Sequence, residues 1–417
     1  MSKIKIVGGN SLNGNLRIDS SKNACLPIFA ACVLVKGKCT INNVPKITDI
    51  ENMLKIIANL GAIVKWHNGS VSLDCTNIIN YEVSGEVAKQ IRGSIFLLGS
   101  ILGRLKKAKF AFPGGCSIGT RPIDLHINGL RGLGVKINER GGFITCNGKG
   151  LTGGTVALDF PSVGATENLI LAAVCAKGCT KIINAAAEPE ICDLVNFLNK
   201  CGAKIYGAGS SEIHIQGVNA LVGCEYTPIG DRIIAGTYMI AVAMTGGQVE
   251  FSNVNFLHNQ NLILKLERLG CTFATYSDKI KMVASGKLQS IGNIQTSPYP
   301  GFATDLQSQL VSLLSISRGT SIVTENLFES RFKFVPELNK MGAKITVSAK
   351  TAIVNGVDTL VGATVSAEDL RGGAALVLAG LVAHGTTIVE NAEHILRGYA
   401  KIDADLSALG ANIIKLD

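Results

Sequence analysis

The sequence contains little of several residue types that mark particular protein classes. Of its 417 residues, one is tryptophan, six are histidine and 17% are charged, whereas 47% are hydrophobic and 47 are glycine. This composition excludes a disordered chain, a collagen and a coiled coil, because enough apolar surface is present to form a core. The length suffices for roughly two or three domains of ordinary size.

Long uninterrupted apolar runs are missing as well. The longest, such as residues 95–102 and 374–383, are much shorter than the roughly 20 residues of a membrane-spanning helix. The opening segment, MSKIKIVGGN, has no apolar core followed by a small-residue cleavage site, which a secretory signal requires. We therefore expect a protein without membrane spans that stays in the cytoplasm.

The 12 cysteines never form a Cys-x-x-Cys pair, so zinc is not indicated. Several, such as Cys25, Cys32 and Cys175, lie in apolar stretches, where a reduced cysteine packs as a small hydrophobe. Lysine and arginine exceed aspartate and glutamate by 40 − 31 = +9. This excess favours an anionic partner, and a phosphorylated metabolite, a nucleic acid and a membrane surface all remain open on charge alone.

A helix–glycine–strand pattern recurs six times along the chain. Each glycine follows a helix-like stretch and precedes a β-like stretch, and successive glycines are 68 to 73 residues apart. The glycines are Gly61, Gly134, Gly202, Gly270, Gly342 and Gly410. A left-handed glycine that ends a helix produces this pattern. Six repeats of this length fill the chain and leave no space for an appended domain.

Every repeat also contains a second helix that is apolar on nearly all sides, so we expect these helices to be buried. They open with polar residues, which are Lys22 with Asn23, Arg92, Thr166 to Asn168, Asp231 with Arg232, Asp305, and Asp369 with Arg371. A charge at such a position either caps its own helix or faces a ligand. If the helix starts converge, their free N–H groups form a site for phosphate or carboxylate.

The connections before the outer, amphipathic helices carry further polar residues, 11 to 14 positions before the repeat glycines. These are Asp49, Arg121, Glu188, Glu190, His258, Arg331 and Arg397.

In one repeat the connection is longer, PGGCSIGTRP at 113–122, and its glycines predict an exposed, mobile loop. Cys116 has glycine neighbours and lies near Arg121 in the sequence, an arrangement that suits a thiolate nucleophile. A thiol with a pKa of about 8.5 also suits a general acid, so both roles stay open.

Seven segments resemble the signature segments of the UDP-N-acetylglucosamine 1-carboxyvinyltransferase family, a group of enolpyruvyl transferases. They are SSKNACLP (20–27), PGGCSIGTRPIDLHINGLRGLG (113–134), PSVGATEN (161–168), FATDLQSQ (302–309), ENLFESRF (325–332), DLRGGAALVLAG (369–380) and HILRGYAKI (394–402). They span the chain from end to end in order. The cysteine loop is the most specific of them, because the related shikimate-pathway enolpyruvyl transferase shares the fold and lacks that motif.

The resemblance implies an α/β fold with two domains, each an inside-out α/β barrel of three βαβαββ repeats around buried inner helices. It places residues 22–229 in one domain and residues 1–21 with 230–417 in the other. The helix starts would face the cleft between the domains, and substrate binding would close it.

The implied reaction moves the enolpyruvyl group of phosphoenolpyruvate to the 3′-hydroxyl of UDP-N-acetylglucosamine and releases phosphate. This is the first committed step of peptidoglycan synthesis, and so it serves cell-wall formation, cell shape, the cell cycle and cell division. The chemistry is addition followed by elimination, which requires an acid, a base and an anion clamp but no cofactor and no metal. We expect a monomer with no nucleic-acid or membrane partner.

The resemblance also assigns roles to individual residues. Cys116 corresponds to the family's proton donor, which forms a covalent adduct with phosphoenolpyruvate as well and is the target of fosfomycin. Lys22 and Asn23 correspond to the pair that holds phosphoenolpyruvate. Arg121 and Arg397 complete the clamp on its phosphate and carboxylate, for which cationic donors are suited.

Asp305 corresponds to the carboxylate beside the sugar 3′-hydroxyl and is our candidate base. The supporting polar residues are Glu188, Asp231, Arg331, Asp369 and Arg371, for which salt bridging between the domains is the alternative. The positions that correspond to nucleotide-sugar contacts are Arg92, Arg121, Pro122, Ile123, Asp124, Leu125, Ser162, Val163, Gly164 and Leu327. Phe160 stands where some family members have a lysine near the uridine.

Two other functions are weighed against this one. A DNA-encircling clamp would also explain six βα-rich repeats and a basic balance, but it requires basic helices facing DNA, whereas these helices are apolar with mixed charges at their starts. A shikimate 3-phosphate enolpyruvyl transferase is the nearer alternative, and the Cys116 loop disfavours it.

Overall fold

The computed structural model describes residues 2–83, 92–111, 119, 123–286 and 288–416. The chain forms two compact units. The C-terminal unit contains the described residues of Met1–Asp19 and Gly230–Asp417, and the N-terminal unit contains most of the described residues between Ser20 and Ile229. The domain limits given by the resemblance, 22–229 and 1–21 with 230–417, stay a prediction.

The N-terminal unit contains three four-stranded sheets of the same design. In each sheet an edge strand runs parallel to the second strand, and the remaining neighbours are antiparallel. In spatial order the sheets are β14 (Glu225–Tyr226), β3 (Lys38–Ile41), β5 (Ser70–Asp74), β4 (Ile63–His67); β6 (Glu82–Val83), β7 (Lys107–Ala111), β9 (Phe143–Asn147), β8 (Lys136–Arg140); and β10 (Thr155–Ala157), β11 (Cys179–Ile183), β13 (Glu212–Gln216), β12 (Lys204–Tyr206).

The C-terminal unit repeats this design three times. Its sheets are β2 (Leu12–Arg17), β15 (Gly247–Ser252), β17 (Lys279–Ala284), β16 (Thr272–Thr275); β18 (Asn293–Gln295), β19 (Thr320–Thr324), β21 (Thr351–Asn355), β20 (Lys344–Ser348); and β22 (Thr364–Ser366), β23 (Thr386–Glu390), β1 (Lys3–Val7), β24 (Asn412–Leu416). Many strands alternate between buried and exposed residues, as in β13, where Ile213 and Ile215 are buried. One face of each such strand therefore meets the core.

Inner and outer helices accompany the sheets. The inner helices are α1 (Lys22–Cys32), α3 (Phe96–Leu105) and α5 (Val163–Ala173) in the N-terminal unit, and α7 (Arg232–Thr245), α9 (Gln307–Leu314) and α11 (Leu370–Val382) in the C-terminal unit. The outer helices are α2 (Thr48–Asn59), α4 (Asp124–Gly132), α6 (Pro189–Lys200), α8 (Phe256–Arg268), α10 (Val335–Lys340) and α13 (Ile402–Ala408), with the short α12 (Glu393–Leu396) before the last. Short 3-10 turns, Arg92–Ile95 and Thr304–Leu306, lead into α3 and α9.

The inner helices form the core of each unit. All three contact one another within their unit, and α7 is buried without interruption from residue 233 to residue 244. Close approach is possible where glycine faces a neighbouring backbone. A Cβ atom on Gly99 of α3 would lie 2.3 Å from the carbonyl oxygen of Asn168 in α5. The prediction of buried apolar helices is therefore confirmed. No helix within the described ranges has the length and apolar character to cross a membrane.

The six repeat glycines all have a left-handed backbone. Their φ angles lie between +82° and +112°, and each follows an outer helix and precedes a strand. L-residues with a side chain rarely adopt this conformation, so glycine ends the helix and redirects the chain. This confirms the repeat pattern predicted from the sequence.

Two local predictions differ from the structure. Helix α5 begins at Val163 because the Ser162 hydroxyl caps it by accepting from the Ala165 N–H at 3.3 Å, so Thr166 to Asn168 lie inside the helix and are buried. The sequence also predicts that most inner helices end at a glycine, as in AACVLVKG at 30–37, whereas several end earlier. After α1, hydrogen bonds three residues apart continue to Val35, and this tighter turn ends the α-helix early.

Candidate functional site

In the C-terminal unit, Asp305 lies between two arginines. Its Oδ1 accepts a hydrogen bond from Arg331 Nη2, and its Oδ2 accepts one from Arg371 Nη2 at 2.8 Å. Both arginines are buried, whereas the Asp305 side chain is 28% exposed. The carboxylate is therefore the accessible part of the triad, and charge-assisted hydrogen bonds fix both of its oxygens.

Three separate elements supply this triad. Asp305 lies in the 3-10 turn before α9, Arg371 in the first turn of α11, and Arg331 in the segment before α10. Burial by itself would lower the pKa of the Arg371 guanidinium, but the negative charge of Asp305 outweighs burial, and the pKa is raised. Arg371 therefore stays cationic.

Two of the predicted supporting residues cap inner helices. The Asp231 carboxylate accepts from the N–H groups of Ile233 and Ile234 at 2.9 and 3.0 Å, at the start of α7. Asp369 accepts from the N–H groups of Arg371 and Gly372 at 2.9 and 3.0 Å, at the start of α11. The capping alternative thus describes what these two carboxylates do, and Asp369 orients the turn that carries Arg371.

A buried tyrosine that was not among the predicted residues contacts the triad from behind. The Tyr399 hydroxyl accepts from Arg371 Nη1 at 3.2 Å and from Gln309 Nε2 at 3.1 Å. It also lies 2.8 Å from Thr237 Oγ1. Arg397, the predicted clamp residue two positions earlier, is partly exposed at the end of α12.

Glu325 is a second residue that the sequence reasoning missed. This fully buried carboxylate accepts from the Thr304 hydroxyl at 2.9 Å and from the Leu327 N–H at 2.9 Å. It also accepts from the Thr296 hydroxyl at 2.9 Å. Glu325 therefore joins the turn that carries Asp305 to the segment that carries Leu327, which was predicted to contact the nucleotide sugar. Its position inside the signature-like segment ENLFESRF was the only signal for it.

In the N-terminal unit, Lys22 forms a largely buried ion pair. Its Nζ lies 3.2 Å from Asp49 Oδ2 and the side chains are 13% and 8% exposed. Lys22 opens the inner helix α1, and Asp49 lies in the first turn of the outer helix α2. Asn23, the next residue of α1, is partly exposed. The structure thus places a lysine, a helix start and a partner carboxylate together.

Buried carboxylates collect in α5 and α6 of the same unit. Glu167, Glu188 and Glu190 are all buried. Burial, with the charges of Glu190 and Glu188, holds the pKa of Glu167 well above its usual range, and its Oε2 has no hydrogen-bond partner among the described residues. These conditions favour the neutral form of Glu167. Glu188 itself is the N-cap position of α6.

Asn168 joins three helices of this unit. Its Nδ2 donates to the Ile95 carbonyl at 2.9 Å, and its Oδ1 accepts from the Gly99 N–H at 2.7 Å. The same amide lies 2.8 Å from Nδ1 of the buried His126 in α4. The start of α3 is therefore held against α5 and α4.

The residues predicted to contact the nucleotide sugar lie mostly at helix starts. Those in the described ranges are Arg92 in the turn before α3, Ile123, Asp124 and Leu125 at the start of α4, Ser162, Val163 and Gly164 at the start of α5, and Leu327 in the segment after β19. Phe160, next to the group at the start of α5, is 46% exposed.

The described residues do not include Cys116, Arg121 and Pro122. The predicted mobility of their loop therefore stays a prediction. In the ranges that the structure describes, no cluster of three His, Cys, Asp or Glu residues has an arrangement that would hold a metal ion.

Comparison with known proteins defines the class. The family model described as EPSP synthase (3-phosphoshikimate 1-carboxyvinyltransferase) matches residues 6–406, so the chain belongs to this family of enolpyruvyl transferases. The crystal structure of the enolpyruvyl transferase NikO from Streptomyces tendae superimposes with a TM-score of 0.89 at 23% identity, and covers 99% of this chain and 98% of that one. The predicted fold class, a two-domain inside-out α/β fold of six repeats, is confirmed.

Within this family, several relatives that are 43–48% identical to this chain are named UDP-N-acetylglucosamine 1-carboxyvinyltransferase. UDP-N-acetylglucosamine 1-carboxyvinyltransferase 2 of Caldanaerobacter subterraneus subsp. tengcongensis is 48% identical over 416 residues, which are 100% of both chains. The protein of the same name from Carboxydothermus hydrogenoformans is 48% identical over 415 residues, which are 99% of both chains. The resemblance drawn from the sequence motifs is therefore confirmed.

Proposed function

We propose that this protein transfers the enolpyruvyl group of phosphoenolpyruvate to the 3′-hydroxyl of UDP-N-acetylglucosamine and releases phosphate, as the first committed step of peptidoglycan synthesis. The observation that carries this proposal is the 48% identity, over the full length, to relatives named for that activity. The reaction needs an anion clamp, an acid and a base, and the described residues include the predicted lysine of the clamp and the predicted base.

The N-terminal unit supplies the lysine of the anion clamp. Lys22 is a cation at the start of α1, and Asp49 fixes its ammonium group. With Arg121 and Arg397 it would neutralise the phosphate and carboxylate of phosphoenolpyruvate, and the Asn23 amide would donate a hydrogen bond to the same ligand. Neutralising these groups stabilises the charge that develops when phosphate leaves.

Asp305 would act as the base toward the sugar hydroxyl. A carboxylate has about four lone-pair sites, and the hydrogen bonds from Arg331 and Arg371 use one on each oxygen. The carboxylate is 28% exposed, so the sugar 3′-hydroxyl can reach it and transfer its proton to it. Cys116 delivers a proton to the methylene carbon of phosphoenolpyruvate, so the hydroxyl oxygen attacks the neighbouring carbon. Loss of a proton and of phosphate then gives the enolpyruvyl ether.

Helix starts would hold the nucleotide. The diphosphate accepts from free N–H groups at the start of α5, where Ser162, Val163 and Gly164 lie. The further contacts are Arg92, Leu327 and the stretch from Arg121 to Leu125. The supporting residues are Glu188, Asp231, Arg331, Asp369 and Arg371.

We also propose a location, an oligomeric state and an inhibitor for this enzyme. The enzyme works as a cytoplasmic monomer without a cofactor, and it has no nucleic-acid or membrane partner. It serves cell shape and cell division through the cell wall, and fosfomycin inactivates it by alkylating Cys116.

The test is a comparison of acceptor substrates. The protein is incubated with phosphoenolpyruvate and either UDP-N-acetylglucosamine or shikimate 3-phosphate, and phosphate release is measured together with product mass. We expect one enolpyruvyl group added to the nucleotide sugar per phosphate released, and no reaction with shikimate 3-phosphate. Two results would overturn the proposal: phosphate release only in the reaction with shikimate 3-phosphate, or no phosphate release in either reaction.

A further inference from the structure

A hydrogen-bond network behind Asp305 connects all three inner helices of the C-terminal unit. Thr237 lies in α7, Gln309 in α9 and Arg371 in α11, and all three are buried. Their polar groups meet at the hydroxyl of Tyr399, which is 1% exposed. Tyr399 comes from the segment after α12 and so belongs to none of these helices.

Each donated proton in this network has one acceptor. Thr237 donates its hydroxyl proton to the Ile233 carbonyl at 2.8 Å. Gln309 Nε2 donates to both Thr237 Oγ1 and the Tyr399 hydroxyl, at 3.0 and 3.1 Å. Since Tyr399 already accepts from Gln309 and Arg371, its own proton goes to Thr237 Oγ1 at 2.8 Å. The tyrosine oxygen is therefore held as an acceptor for Arg371.

We propose that Tyr399 is a positioning residue for the candidate base. Its hydroxyl fixes the Arg371 guanidinium through Nη1, and Nη2 of the same planar group fixes Asp305 Oδ2 at 2.8 Å. Because the guanidinium is rigid, the direction of one N–H sets the direction of the other. This inference rests on the proposed function, and it adds a specific task for Tyr399, Thr237 and Gln309.

The burial of Arg371 explains why the hydroxyl matters. A buried guanidinium N–H without an acceptor loses the free energy of a hydrogen bond to a charged group. In the absence of the tyrosine oxygen, Arg371 gains by turning toward another acceptor, and that movement takes Nη2 away from Asp305. Tyr399 also lies two residues after Arg397, so the same segment carries a clamp residue and the support for the base.

The first test replaces Tyr399 with phenylalanine. We expect kcat to fall roughly tenfold to hundredfold, the range that follows from losing a hydrogen bond to a charged group, while KM for UDP-N-acetylglucosamine changes little. The matched control is Tyr238→Phe. Tyr238 is equally buried, belongs to the same unit and donates to Asp405 Oδ2 at 2.9 Å rather than to a member of the triad. This control is expected to lower the thermal midpoint to a similar extent and to retain kcat.

The second test uses Thr237. Thr237→Val removes the acceptor for the tyrosine proton and is expected to lower kcat in the same direction, whereas Thr237→Ser keeps the hydroxyl and is expected to recover most of that loss. In the double variant Y399F/T237V, the losses should not add, because both changes act through Arg371.

The outcomes separate the two proposals. If the wild-type protein fails to react with UDP-N-acetylglucosamine, the proposed function is wrong. If the wild-type protein reacts but Y399F and Y238F have equal kcat, or T237S is as slow as T237V, Tyr399 does not position the base.

A separate observation concerns two cysteines in the N-terminal unit. The Sγ atoms of Cys201 and Cys224 lie 3.4 Å apart. Cys201 is buried at the end of α6, and Cys224 is partly exposed just before β14. The Val222 N–H donates to the Cys201 carbonyl at 2.9 Å and holds the two segments at this spacing. Cys39 of β3 also contacts Cys201.

We infer that Cys201 and Cys224 form a reversible disulfide when a hydroperoxide oxidises the protein. Cys224 is the more exposed thiol, and it must first lose its proton to solvent because burial raises its pKa. Its sulfur then attacks hydrogen peroxide, breaks the O–O bond and becomes a sulfenic acid, and the other oxygen leaves as hydroxide, which takes up a proton to give water. Cys201 then attacks the sulfenic sulfur, and the hydroxyl group leaves with the Cys201 proton as a second water. Two electrons pass from the sulfurs to the peroxide. The bond would join the end of α6 to the segment that leads to Tyr226 and Ile229.

The test treats the whole protein with hydrogen peroxide, alkylates the remaining thiols and maps the linked peptides by mass spectrometry. We expect one cross-link, Cys201 to Cys224, that dithiothreitol reverses. The control Cys179→Ser removes an exposed cysteine on β11 and should leave the cross-link intact, whereas Cys201→Ser and Cys224→Ser should abolish it. Pairing of either residue with Cys39, an oxidised but unlinked Cys224, or two unchanged thiols would each overturn the inference.

Discussion

Lys22 Nζ lies 3.2 Å from Asp49 Oδ2, and this ion pair joins the start of α1 to the first turn of α2. Both side chains are largely buried, so neither charge can exchange its partner for bulk water. Breaking a buried pair by removing one partner costs about 3 to 5 kcal/mol, because the other charge is left uncompensated. Asp49 therefore helps to fix the position of the Lys22 ammonium.

Replacing Asp49 with asparagine tests this relationship. The lysine loses its fixed direction, so we expect KM for phosphoenolpyruvate to rise roughly tenfold while KM for UDP-N-acetylglucosamine changes little. Lys22→Ala should act in the same direction and more strongly. The measurement is steady-state kinetics with each substrate varied in turn.

The matched control is Glu390→Gln, which breaks the exposed Lys3–Glu390 pair and is expected to have no effect, since exposed ion pairs contribute little. An equal rise in both KM values for D49N would contradict the assignment of Lys22 to phosphoenolpyruvate.

A buried carboxylate predicts a pH-dependent stability. Burial raises the pKa of Asp193 from 3.8 to about 6, although the Tyr226 hydroxyl and the Ile229 N–H donate to it. The folded state therefore favours the protonated form of Asp193 more strongly than the unfolded state does. The stability that this preference contributes is fully present below about pH 4, and it is lost as pH rises through 6.

Asp193→Asn removes this titration. Relative to D193N, the wild-type protein should lose about 1 kcal/mol of unfolding free energy between pH 5 and pH 7. Urea unfolding followed by tryptophan fluorescence measures it, because the single tryptophan, Trp66, lies in β4 of the same unit. A difference between the two proteins that stays constant with pH would show that Asp193 does not titrate in this range.

Two repeat glycines allow backbone strain and steric contact to be separated. Gly202 has φ +99° and open space where a Cβ would lie, so Gly202→Ala should cost only the left-handed strain, about 1 to 2 kcal/mol. Gly61 has φ +112°, and a Cβ there would lie 2.8 Å from the Asn77 carbonyl oxygen. Gly61→Ala should therefore cost more. Both are measured by Trp66 fluorescence, and equal costs would mean that the contact near Gly61 relaxes.

The repeats were predictable because their signal is local. Gly61 and its five counterparts each determine a backbone angle by themselves, so the pattern of helix, glycine and strand appears directly in the sequence. The Asp305 network is different. Thr237 and Tyr399 are 162 residues apart, and Thr237 and Gln309 are 72 apart, so their contact depends on how three helices pack and no local pattern indicates it.

The start of α5 is another feature that the sequence alone does not predict. The sequence identifies Thr166 to Asn168 as polar residues in an apolar helix, which favours an exposed start. In the structure, Ser162 supplies the cap, and Thr166 and Asn168 find partners inside the unit: the Thr166 hydroxyl accepts from the Ala186 N–H at 3.1 Å and Asn168 Oδ1 accepts from the Gly99 N–H at 2.7 Å. The identity of the cap depended on backbone geometry that the residue types do not specify.

Cys116 carries a prediction of its own. Cys116→Ser should lower turnover strongly without changing the fold, because a serine hydroxyl is too weak an acid to deliver a proton near neutral pH. Cys116→Asp should retain activity, since a carboxylic acid can replace the thiol as proton donor. The measurement is kcat at neutral pH with circular dichroism as the check on folding, and a C116S protein of normal activity would remove Cys116 from this role.

The most direct test of the central claim, addition followed by elimination, is the reaction in deuterium oxide. If the methylene carbon of phosphoenolpyruvate is protonated first and a proton is lost afterwards, the product should carry deuterium in its vinyl group. Mass spectrometry of the enolpyruvyl nucleotide sugar measures this incorporation. We predict deuterium in the vinyl group of the product, and a product formed without deuterium would contradict the mechanism.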